Sequence, residues 1–174
     1  MRIEKTEFPG VLLIHNAVRC DGRGGMETVL DDRSLWEAGV DFRVREQRAY
    51  RIPKRRTFFG IHYQADGYPQ DRIVQVLAGR GIDYIIDLNA GSPTFRKWIS
   101  VELDGEDGKA VYIPHGYGHA FFSIQDDTWQ LFTVNEHFRE GCSKKINYKD
   151  PSIGLELPCE ADWISEADRN APML

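Results

Sequence analysis

The stretch Gly108–Ala120, with the sequence GKAVYIPHGYGHA, carries the clearest local structural signal in the chain. Its apolar residues as far as Ile113 are typical of a buried strand, and Pro114 ends that strand because proline has no N–H for the ladder. Gly116 then permits a tight turn, after which the chain re-enters a sheet with His119 directed toward the interior. This strand, turn and returning strand predict one mouth of a β-barrel or sandwich.

Alternating apolar and polar residues, separated by frequent turn signals, continue from this stretch in both directions. Ala78–Gly81 supplies residues that tolerate positive φ, and Asp104–Gly108 forms a polar hairpin tip. Short strands between such turns predict an all-β sandwich or barrel. The predicted strands are Val11–His15, Phe42–Tyr50, Phe58–Tyr63, Ile73–Leu77, Ile82–Leu88, Phe95–Leu103, Ala110–Ile113, Ala120–Ile124 and Trp129–Val134, with a further candidate at Ile153–Leu157.

Helical signals are confined to two short segments. Within Asp32–Ala38, Ser34 and Glu37 have the spacing of a capping box, and Gly39 can adopt the left-handed conformation that ends a helix. Ser165–Arg169 predicts a second helical turn near the C-terminus. The chain shows no repeat, low-complexity tract or linker, so we expect a single domain over residues 1–174.

Composition excludes several classes of protein. The 174 residues are 41% hydrophobic and 28% charged, and no apolar run approaches the roughly 18 residues of a membrane span. The first residues lack the layout of a signal peptide and the three cysteines are far apart, so we expect a cytoplasmic protein. A net charge of −5 argues against nucleic acid or an anionic membrane as a partner.

One segment departs from this acidic average. Residues 43–56 contain seven arginines and lysines and a single carboxylate, Glu46. Such a segment can be a solvated sheet edge whose charges deter aggregation. It can equally be a binding site for an anion such as a phosphate group.

The spacing of glycine, proline, glycine and histidine in the opening stretch resembles the second sequence motif of the cupin superfamily, which implies a jelly-roll β-barrel. Metal-binding cupins also carry a His-x-His pair followed by a glutamate. The corresponding segment here is Gly60–Gln64, in which His62 is followed by Tyr63 and Gln64. Because Tyr63 and Gln64 are poor substitutes for nitrogen ligands, we expect neither a metal nor another cofactor.

Further short strings, individually weak, have a distinctive order and spacing. They are Asp21–Gly24, Gln47, Gly60–Gln64, Asp87–Leu88, Gly91–Phe95, Lys97–Trp98, Pro114–Phe121, Asp150–Pro151, Ile164–Arg169 and Ala171–Pro172. Through them the chain resembles, almost end to end, the dTDP-4-dehydrorhamnose 3,5-epimerase family of metal-free cupins. The resemblance implies a homodimer whose N-terminal strands join the neighbour's sheet, and a role in making polysaccharide or natural-product sugars.

The resemblance also implies catalytic roles for three residues. His62 would be the base, held in one tautomer by the carboxylate of Asp168, and would remove a proton from a sugar carbon next to the C4 ketone. Arg72 stands where the family has a lysine and would place positive charge near the enolate oxygen. The structural alternative for His62 is a half-buried strand residue that is hydrogen-bonded to a carboxylate.

Three residues that match the family are the expected substrate contacts. The resemblance implies that Arg23 binds phosphate, with His119 as the next candidate, and that Gln47 contacts the substrate.

Besides Arg72, three positions depart from the family pattern. Phe132 stands in place of the tyrosine that transfers the second proton, Phe59 replaces an arginine that binds the diphosphate, and Ala49 replaces an asparagine. The changes at Phe59 and Ala49 alter the expected substrate side of the site, and we expect Phe59 and Phe132 to be substrate-binding residues. Possible substitutes for the lost arginine are Arg51, Arg55 and Arg56.

The proton donor that replaces the family tyrosine is not evident from the sequence. Tyr117 lies in the turn at the barrel mouth and is one candidate. Tyr63 is next to His62 on one strand, so alternation sends its side chain to the opposite face.

The favoured hypothesis is an isomerase that acts on a nucleotide-linked 4-keto-6-deoxy sugar such as dTDP-4-dehydro-6-deoxyglucose. Because Phe132 cannot donate a proton, we expect inversion at C3 rather than at both C3 and C5. The alternative is a non-catalytic or weakened cupin that binds a nucleotide sugar without converting it. A metal-dependent cupin is a third, disfavoured hypothesis.

Overall fold

A computed structural model of the protein describes residues 1–65 and 67–174. Short strands predominate and the helices are short, which confirms the all-β class. The strands are β1 (Arg2–Lys5), β2 (Leu12–His15), β3 (Val18–Asp21), β4 (Gly24–Glu27), β5 (Glu46–Ile52), β6 (Thr57–Gln64), β7 (Arg72–Ala78), β8 (Arg80–Asp87), β9 (Trp98–Asp104), β10 (Lys109–Ile113), β11 (Tyr117–Ser123), β12 (Thr128–Val134), β13 (Ser143–Ile146) and β14 (Trp163–Ile164). The helices are α1 (Asp32–Glu37) and α2 (Glu166–Arg169), with a 3-10 turn at Glu140–Cys142.

Two sheets face each other across the interior. Sheet I has the strand order β1-β2-β10-β7-β12-β5, and sheet II has the order β13-β6-β11-β8-β9, with β14 parallel to β6. Strands β3 and β4 form a separate hairpin. This two-sheet arrangement confirms the cupin-type jelly roll. The core between the two sheets is apolar and contains Phe8, Val11, Ile52, Val74, Val76, Ile85, Val101, Leu103, Val111, Ile113, Tyr117 and Phe121.

Each sheet also has its outer face covered by another part of the chain. Leu35 of α1 and Phe42 pack on the outside of sheet I, where Phe42 meets Tyr112 edge to face with ring centroids 6.1 Å apart. The C-terminal segment covers sheet II, to which it contributes the buried Ile153. Both covers bury apolar side chains that alternation would otherwise leave in water.

The Ile153–Leu157 segment is part of that second cover, so its prediction as a strand was wrong. It begins in a turn, where the backbone N–H of Ile153 donates to the carbonyl of Asp150 at 3.1 Å. Its apolar residues pack flat against sheet II instead of pairing with a neighbouring strand. The alternating apolar residues of this segment therefore reflect packing on the outer face of sheet II and not a strand.

Two predicted strands begin later than expected. The strand predicted over Phe42–Tyr50 begins at Glu46, because Phe42 is drawn under α1. The strand predicted over Phe95–Leu103 begins at Trp98, because Arg96 turns back in the left-handed region with φ of 66° and donates its N–H to Asp87.

The first helix is confirmed, but its cap differs from the prediction. The N-cap residue is Asp31, and the Ser34 hydroxyl donates to the Asp31 carboxylate at 2.6 Å instead of capping the helix itself. Gly39 has φ of +87°, as the predicted helix stop requires. Among the helices of residues 1–65 and 67–174, none is long and apolar enough to cross a membrane.

The turn inside the opening stretch positions β11 as predicted. Gly116 has φ of +87°, and a Cβ atom at this position would lie 2.1 Å from Oδ1 of Asn89. Asn89 cannot easily move, since both its backbone and its side chain donate to Asp87. Glycine at position 116 is thus required by both conformation and space, and the turn it makes returns His119 to sheet II.

We predict that Gly116→Ala lowers the free energy of unfolding by about 2 kcal/mol or more, because it combines a strained φ with a steric clash. Gly91→Ala is the matched control, since Gly91 is exposed and a Cβ there would have no neighbour within 4 Å. Urea unfolding followed by tryptophan fluorescence measures both. Equal stability of the two variants would contradict this account of the turn.

Candidate active site

A cavity of about 160 Å³ opens between the two sheets at one end of the barrel. Sheet II contributes His62 and His119 to its walls, and sheet I contributes Tyr50, Arg72 and Phe132. A ligand in the cavity would therefore have a histidine wall on one side and a wall of aromatic and cationic side chains on the other. The full lining is Arg48, Tyr50, Phe59, Gly60, His62, Tyr63, Gln64, Gln70, Arg72, His119, Gln130, Phe132, Phe138 and Ser143.

An irregularity in β6 places His62 on the inner face. His62 pairs with His119 of β11, and Phe59 pairs with Phe121, so two residues of β6 lie opposite one residue of β11. This is a β-bulge, in which one extra residue shifts the alternation of side chains. Because of the bulge, both Phe59 and His62 line the cavity although they are three residues apart.

The bulge also brings the C-terminal helix against β6. A Cβ atom on Gly60 would lie 2.9 Å from Cβ of Asp168, so only glycine allows this approach. Ser165 caps α2 by accepting a hydrogen bond from the Asp168 N–H at 3.0 Å. The carboxylate of Asp168 then accepts a hydrogen bond from Nε2 of His62 at 2.6 Å.

Lys145 is a second partner of the same carboxylate. Its Nζ lies 2.7 Å from Oδ1 of Asp168, the oxygen that also binds His62. Strand β13 pairs with β6 so that Lys145 lies directly opposite His62. Burial favours the neutral acid, but the hydrogen bonds from His62 and Lys145 outweigh it and hold the pKa of Asp168 well below its usual range. Asp168 is therefore an anion at neutral pH.

Arg72 is a buried cation next to the cavity. Its side chain is almost wholly shielded from water, and Nη1 donates to the carbonyl of His62 at 3.3 Å. Burial lowers the pKa of Arg72 to about 10, although the charge of Asp83 opposes this, so the guanidinium remains protonated at neutral pH. Its Nε has no hydrogen-bond partner among the described residues. A buried donor of this kind is suited to an oxygen atom of a ligand.

His119 lies beside a buried carboxylate rather than in solvent. Its Nε2 is 2.8 Å from Oδ1 of Asp83, within ion-pair distance, although the angle is outside the hydrogen-bond range. Burial raises the pKa of Asp83, and the neighbouring His119 and Arg72 offset part of that rise. The three groups thus form a polar cluster, of which His119 and Arg72 line the cavity.

Three aromatic rings line the side of the cavity next to this cluster. Tyr50 meets Phe59 and Phe132 edge to face, with centroids 5.7 Å and 6.3 Å apart. Phe132 also lies under the Arg72 guanidinium, 5.8 Å from the ring centroid, and 5.4 Å from the ring of His119. Phe132 presents a flat apolar surface to the cavity and has no hydroxyl group that could donate a proton.

Two of the expected substrate contacts lie away from this cavity within the chain. Arg23 is exposed on the β3–β4 hairpin and pairs with Asp21 at 2.6 Å. Gln47 is on the outer side of β5, where its amide donates to the Thr133 hydroxyl at 3.1 Å. The structure therefore brings together His62, Asp168, Arg72, His119, Phe132 and Phe59, but neither Arg23 nor Gln47.

The basic segment contributes one cation to the cavity, and it is Arg48. Arg48 lies opposite Phe132 in the pairing of β5 with β12, and its Nε donates to Glu46 at 2.7 Å. The other candidates point elsewhere. Arg51 stacks on Trp129, the Arg55 N–H binds Asp126, and the Arg56 side chain binds Asp162 and the carbonyl of Glu160.

Sequence reasoning did not single out Arg48, Tyr50 or Lys145. Alternation along β5 places Arg48 and Tyr50 inward, but the predicted start of this strand did not fix which face is buried. Lys145 lies on β13, which was not predicted because its four residues lack an apolar alternation. Within the described parts of the chain, no group of three His, Cys, Asp or Glu side chains is arranged to hold a metal.

The structure is thus a jelly-roll barrel of the cupin type in which a carboxylate-bound histidine and a buried guanidinium face one cavity. An imidazole can accept a proton, and a fixed guanidinium can stabilise negative charge. Comparison with known proteins identifies the family. The family model for dTDP-4-dehydrorhamnose 3,5-epimerase matches residues 5–174. The chain belongs to this family of isomerases.

Individual relatives agree with this assignment. The chain is 30% identical over 172 residues to the dTDP-4-dehydrorhamnose 3,5-epimerase of Shigella flexneri, covering 98% of this chain and 94% of the relative. It is 33% identical over 159 residues to a dTDP-4-dehydro-6-deoxyglucose 3-epimerase from a Streptomyces species, covering 90% of this chain and 81% of the relative. A crystal structure of a 3'-monoepimerase from Streptomyces bikiniensis in complex with dTDP-quinovose superimposes with a TM-score of 0.90 at 29% identity, covering 97% and 85% of the two chains.

We predict that Asp168→Asn lowers the free energy of unfolding at pH 7 by about 2 kcal/mol, because a charge-assisted acceptor shared by His62 and Lys145 is lost. Since the pKa of Asp168 is lower in the folded than in the unfolded protein, its contribution is complete above the ordinary carboxyl pKa of about 4. It declines as the pH falls toward the folded value. The stability difference between wild type and variant should therefore narrow below about pH 4.

Urea unfolding at pH 7, 5 and 3.5 measures this difference. Asp162→Asn serves as the control, because Asp162 is exposed and pairs with Arg56 at the surface. A difference that stays constant across this pH range would show that Asp168 does not contribute as an anion.

Proposed function

We propose that the protein inverts a carbon next to the C4 ketone of a nucleotide-linked 4-keto-6-deoxy sugar, with C3 as the favoured carbon and dTDP-4-dehydro-6-deoxyglucose as the model substrate. The observation that carries the proposal is the contact between His62 and Asp168 at 2.6 Å beside the buried Arg72 in one cavity. The relatives named as 3-epimerases and as 3,5-epimerases support the same class of substrate.

In the proposed reaction His62 removes the proton. When Nε2–H donates to Asp168, the lone pair of the ring is on Nδ1, which then acts as the base. The anionic Asp168 also stabilises the imidazolium that forms after proton transfer. Lys145 helps to hold the carboxylate in place by binding the same oxygen.

Arg72 is proposed to stabilise the enolate. Its buried Nε–H has no partner among the described residues, and its charge is retained at neutral pH. A fixed donor in a site shielded from water stabilises a developing oxyanion far more than an exposed one does. The ketone oxygen of the sugar would accept this hydrogen bond.

The cavity is large enough for the sugar but not for the whole nucleotide sugar. At about 160 Å³ the cavity is smaller than the roughly 300–1,000 Å³ of sites that enclose a whole drug-sized ligand. The sugar ring would occupy it, and the diphosphate and nucleoside would extend beyond the mouth. Arg48 lies on this route with its side chain about one-third exposed, so we assign it to a phosphate group.

We retain Arg23, His119 and Gln47 as proposed substrate contacts. His119 already lines the cavity. Arg23 and Gln47 would contact substrate only in an assembly, and a homodimer that brings the β3–β4 hairpin of a second copy to the mouth is the arrangement we propose for Arg23.

The proposal predicts that wild-type protein in D2O inverts dTDP-4-dehydro-6-deoxyglucose and introduces deuterium at the inverted carbon. His62→Asn should reduce the exchange rate by 100-fold or more, since the base is lost. Proton NMR of the sugar follows both events. His15→Ala is the control, because His15 pairs with Glu4 on the outer strands and lies outside the cavity.

Three results would contradict parts of this proposal. Saturable nucleotide-sugar binding without exchange in wild type would support the alternative, a non-catalytic binding cupin. Near-normal exchange in His62→Asn would remove His62 as the base. Inversion with deuterium at both C3 and C5 would refute the preference for one carbon.

We predict that Arg48→Ala weakens the binding of dTDP about 10-fold or more, because a charge-assisted contact with phosphate is worth roughly 1.5–3 kcal/mol. Arg51→Ala is the matched control from the same strand, since Arg51 points outward and stacks on Trp129. Isothermal titration calorimetry with dTDP measures both affinities. An equal loss in the two variants would indicate general electrostatic attraction instead of a specific contact.

A further inference from the structure

We propose that the hydroxyl of Tyr50 donates the proton that returns to the sugar on the face opposite His62, a step for which Phe132 has no hydroxyl. This inference rests on the proposed function and names a catalytic residue for it. Tyr50 lines the cavity next to Phe132.

Tyr50 lies on the wall that Phe132 occupies. In the pairing of β5 with β12, Tyr50 is opposite Gln130, and Gln130 is two residues from Phe132 on the same face. Tyr50 and Phe132 therefore project into the cavity as diagonal neighbours, with their ring centroids 6.3 Å apart. The phenol of Tyr50 thus lies one strand away from position 132, where the family resemblance predicts a tyrosine.

Tyr50 and His62 belong to opposite walls. Tyr50 is on β5 of sheet I and His62 is on β6 of sheet II, and both line the cavity between these sheets. A flat sugar enolate bound between the walls would present one face to each residue. Inversion requires this arrangement, because the proton must leave from one face and return to the other.

Two cationic side chains line the same cavity as Tyr50. Arg48 lies two residues from Tyr50 on the inward side of β5. The Arg72 guanidinium lies 5.8 Å from the centre of the Phe132 ring, which Tyr50 meets edge to face. The wall that carries Tyr50 therefore also carries positive charge.

Other tyrosines near the site have hydrogen bonds or packing contacts outside the wall opposite His62. Tyr117, the candidate from the sequence, donates its hydroxyl to the carbonyl of Pro9 at 2.8 Å. Tyr112 donates to Asp71 at 3.0 Å, and Tyr63 packs against the outer apolar cluster of sheet II. Of the described tyrosines that line the cavity, Tyr50 is the one on the wall opposite His62.

The proton transfers balance without any other reagent. His62 takes the proton from the carbon next to the ketone, which gives an imidazolium and an enolate. Tyr50 then gives its O–H proton to the same carbon from the other face, and the electron pair of the enolate forms the new C–H bond. Solvent afterwards removes the proton from His62 and returns one to Tyr50, so no oxidation or reduction occurs.

The test separates proton removal from inversion. In Tyr50→Phe, His62 can still remove a proton and return a deuteron on its own face, so we expect exchange at the reacting carbon in D2O to stay within about threefold of wild type. Formation of the epimer should fall 100-fold or more, because the opposite face has lost its general acid. Proton NMR of dTDP-4-dehydro-6-deoxyglucose resolves the two rates. Tyr117→Phe is the control and should retain both.

Each remaining outcome has a distinct meaning. Normal inversion in Tyr50→Phe, or an equal fall in exchange and inversion, would overturn the role of Tyr50. The double variant Tyr50→Phe/Phe132→Tyr restores a hydroxyl to the same wall, and we expect it to recover inversion, whereas no recovery would count against a donor on this wall. Wild type that shows neither exchange nor inversion would overturn the proposed function itself.

Discussion

The candidate site depends on one carboxylate that is shared between two strands and a helix. Asp168, on α2, binds His62 of β6 and Lys145 of β13 through the same oxygen. This contact ties the C-terminal end of the chain to the edge of sheet II, and it orients the imidazole. It is possible only because Gly60 leaves room for Asp168 and because the bulge turns His62 inward. Local backbone geometry, closure of the barrel edge and the proposed chemistry thus rest on the same few atoms.

A second constraint is the burial of charge inside an otherwise apolar barrel. Arg72 and Asp83 are almost fully shielded from water, and their opposite charges offset part of the free energy that is needed to bury each charge. The compensation is incomplete, since Nε of Arg72 and both oxygens of Asp83 have no hydrogen-bond partner in the described chain. Of these two residues only Arg72 lines the cavity, so a ligand bound there could complete the hydrogen bonding of its Nε–H. The carboxylate of Asp83 lies behind it as a fully buried counter-charge.

The sequence predicted the barrel because its strands are apolar on the inner face and separated by distinctive turns, as in the segment around Gly116. It predicted His62 and Asp168 together only through the family resemblance, since no local pattern links residues so far apart in the chain. It did not place Arg48 and Tyr50 in the cavity, because charged and aromatic residues alternate along β5 without a clear apolar face. It also missed Lys145, whose short strand is defined by pairing with β6 and not by its own composition.

For two of the departures from the expected family pattern, a similar chemical group lies elsewhere on the wall of the same cavity. Compared with the pattern expected from the family resemblance, Phe132 removes a hydroxyl, and Tyr50 places one on β5, the strand that neighbours β12. Phe59 removes a cation from sheet II, and Arg48 supplies one on sheet I, across the same cavity. Side chains on adjacent strands of one face are only about 4.5–5.5 Å apart when directly opposite, and somewhat farther on the diagonal. The hydroxyl can therefore lie one strand to the side, and the cation on the facing sheet, and both can still face the same ligand. Such a move is invisible to a comparison made position by position, which records two losses and no gains. Three-dimensional pairing of the strands is what turns these losses into a proposed rearrangement of one site.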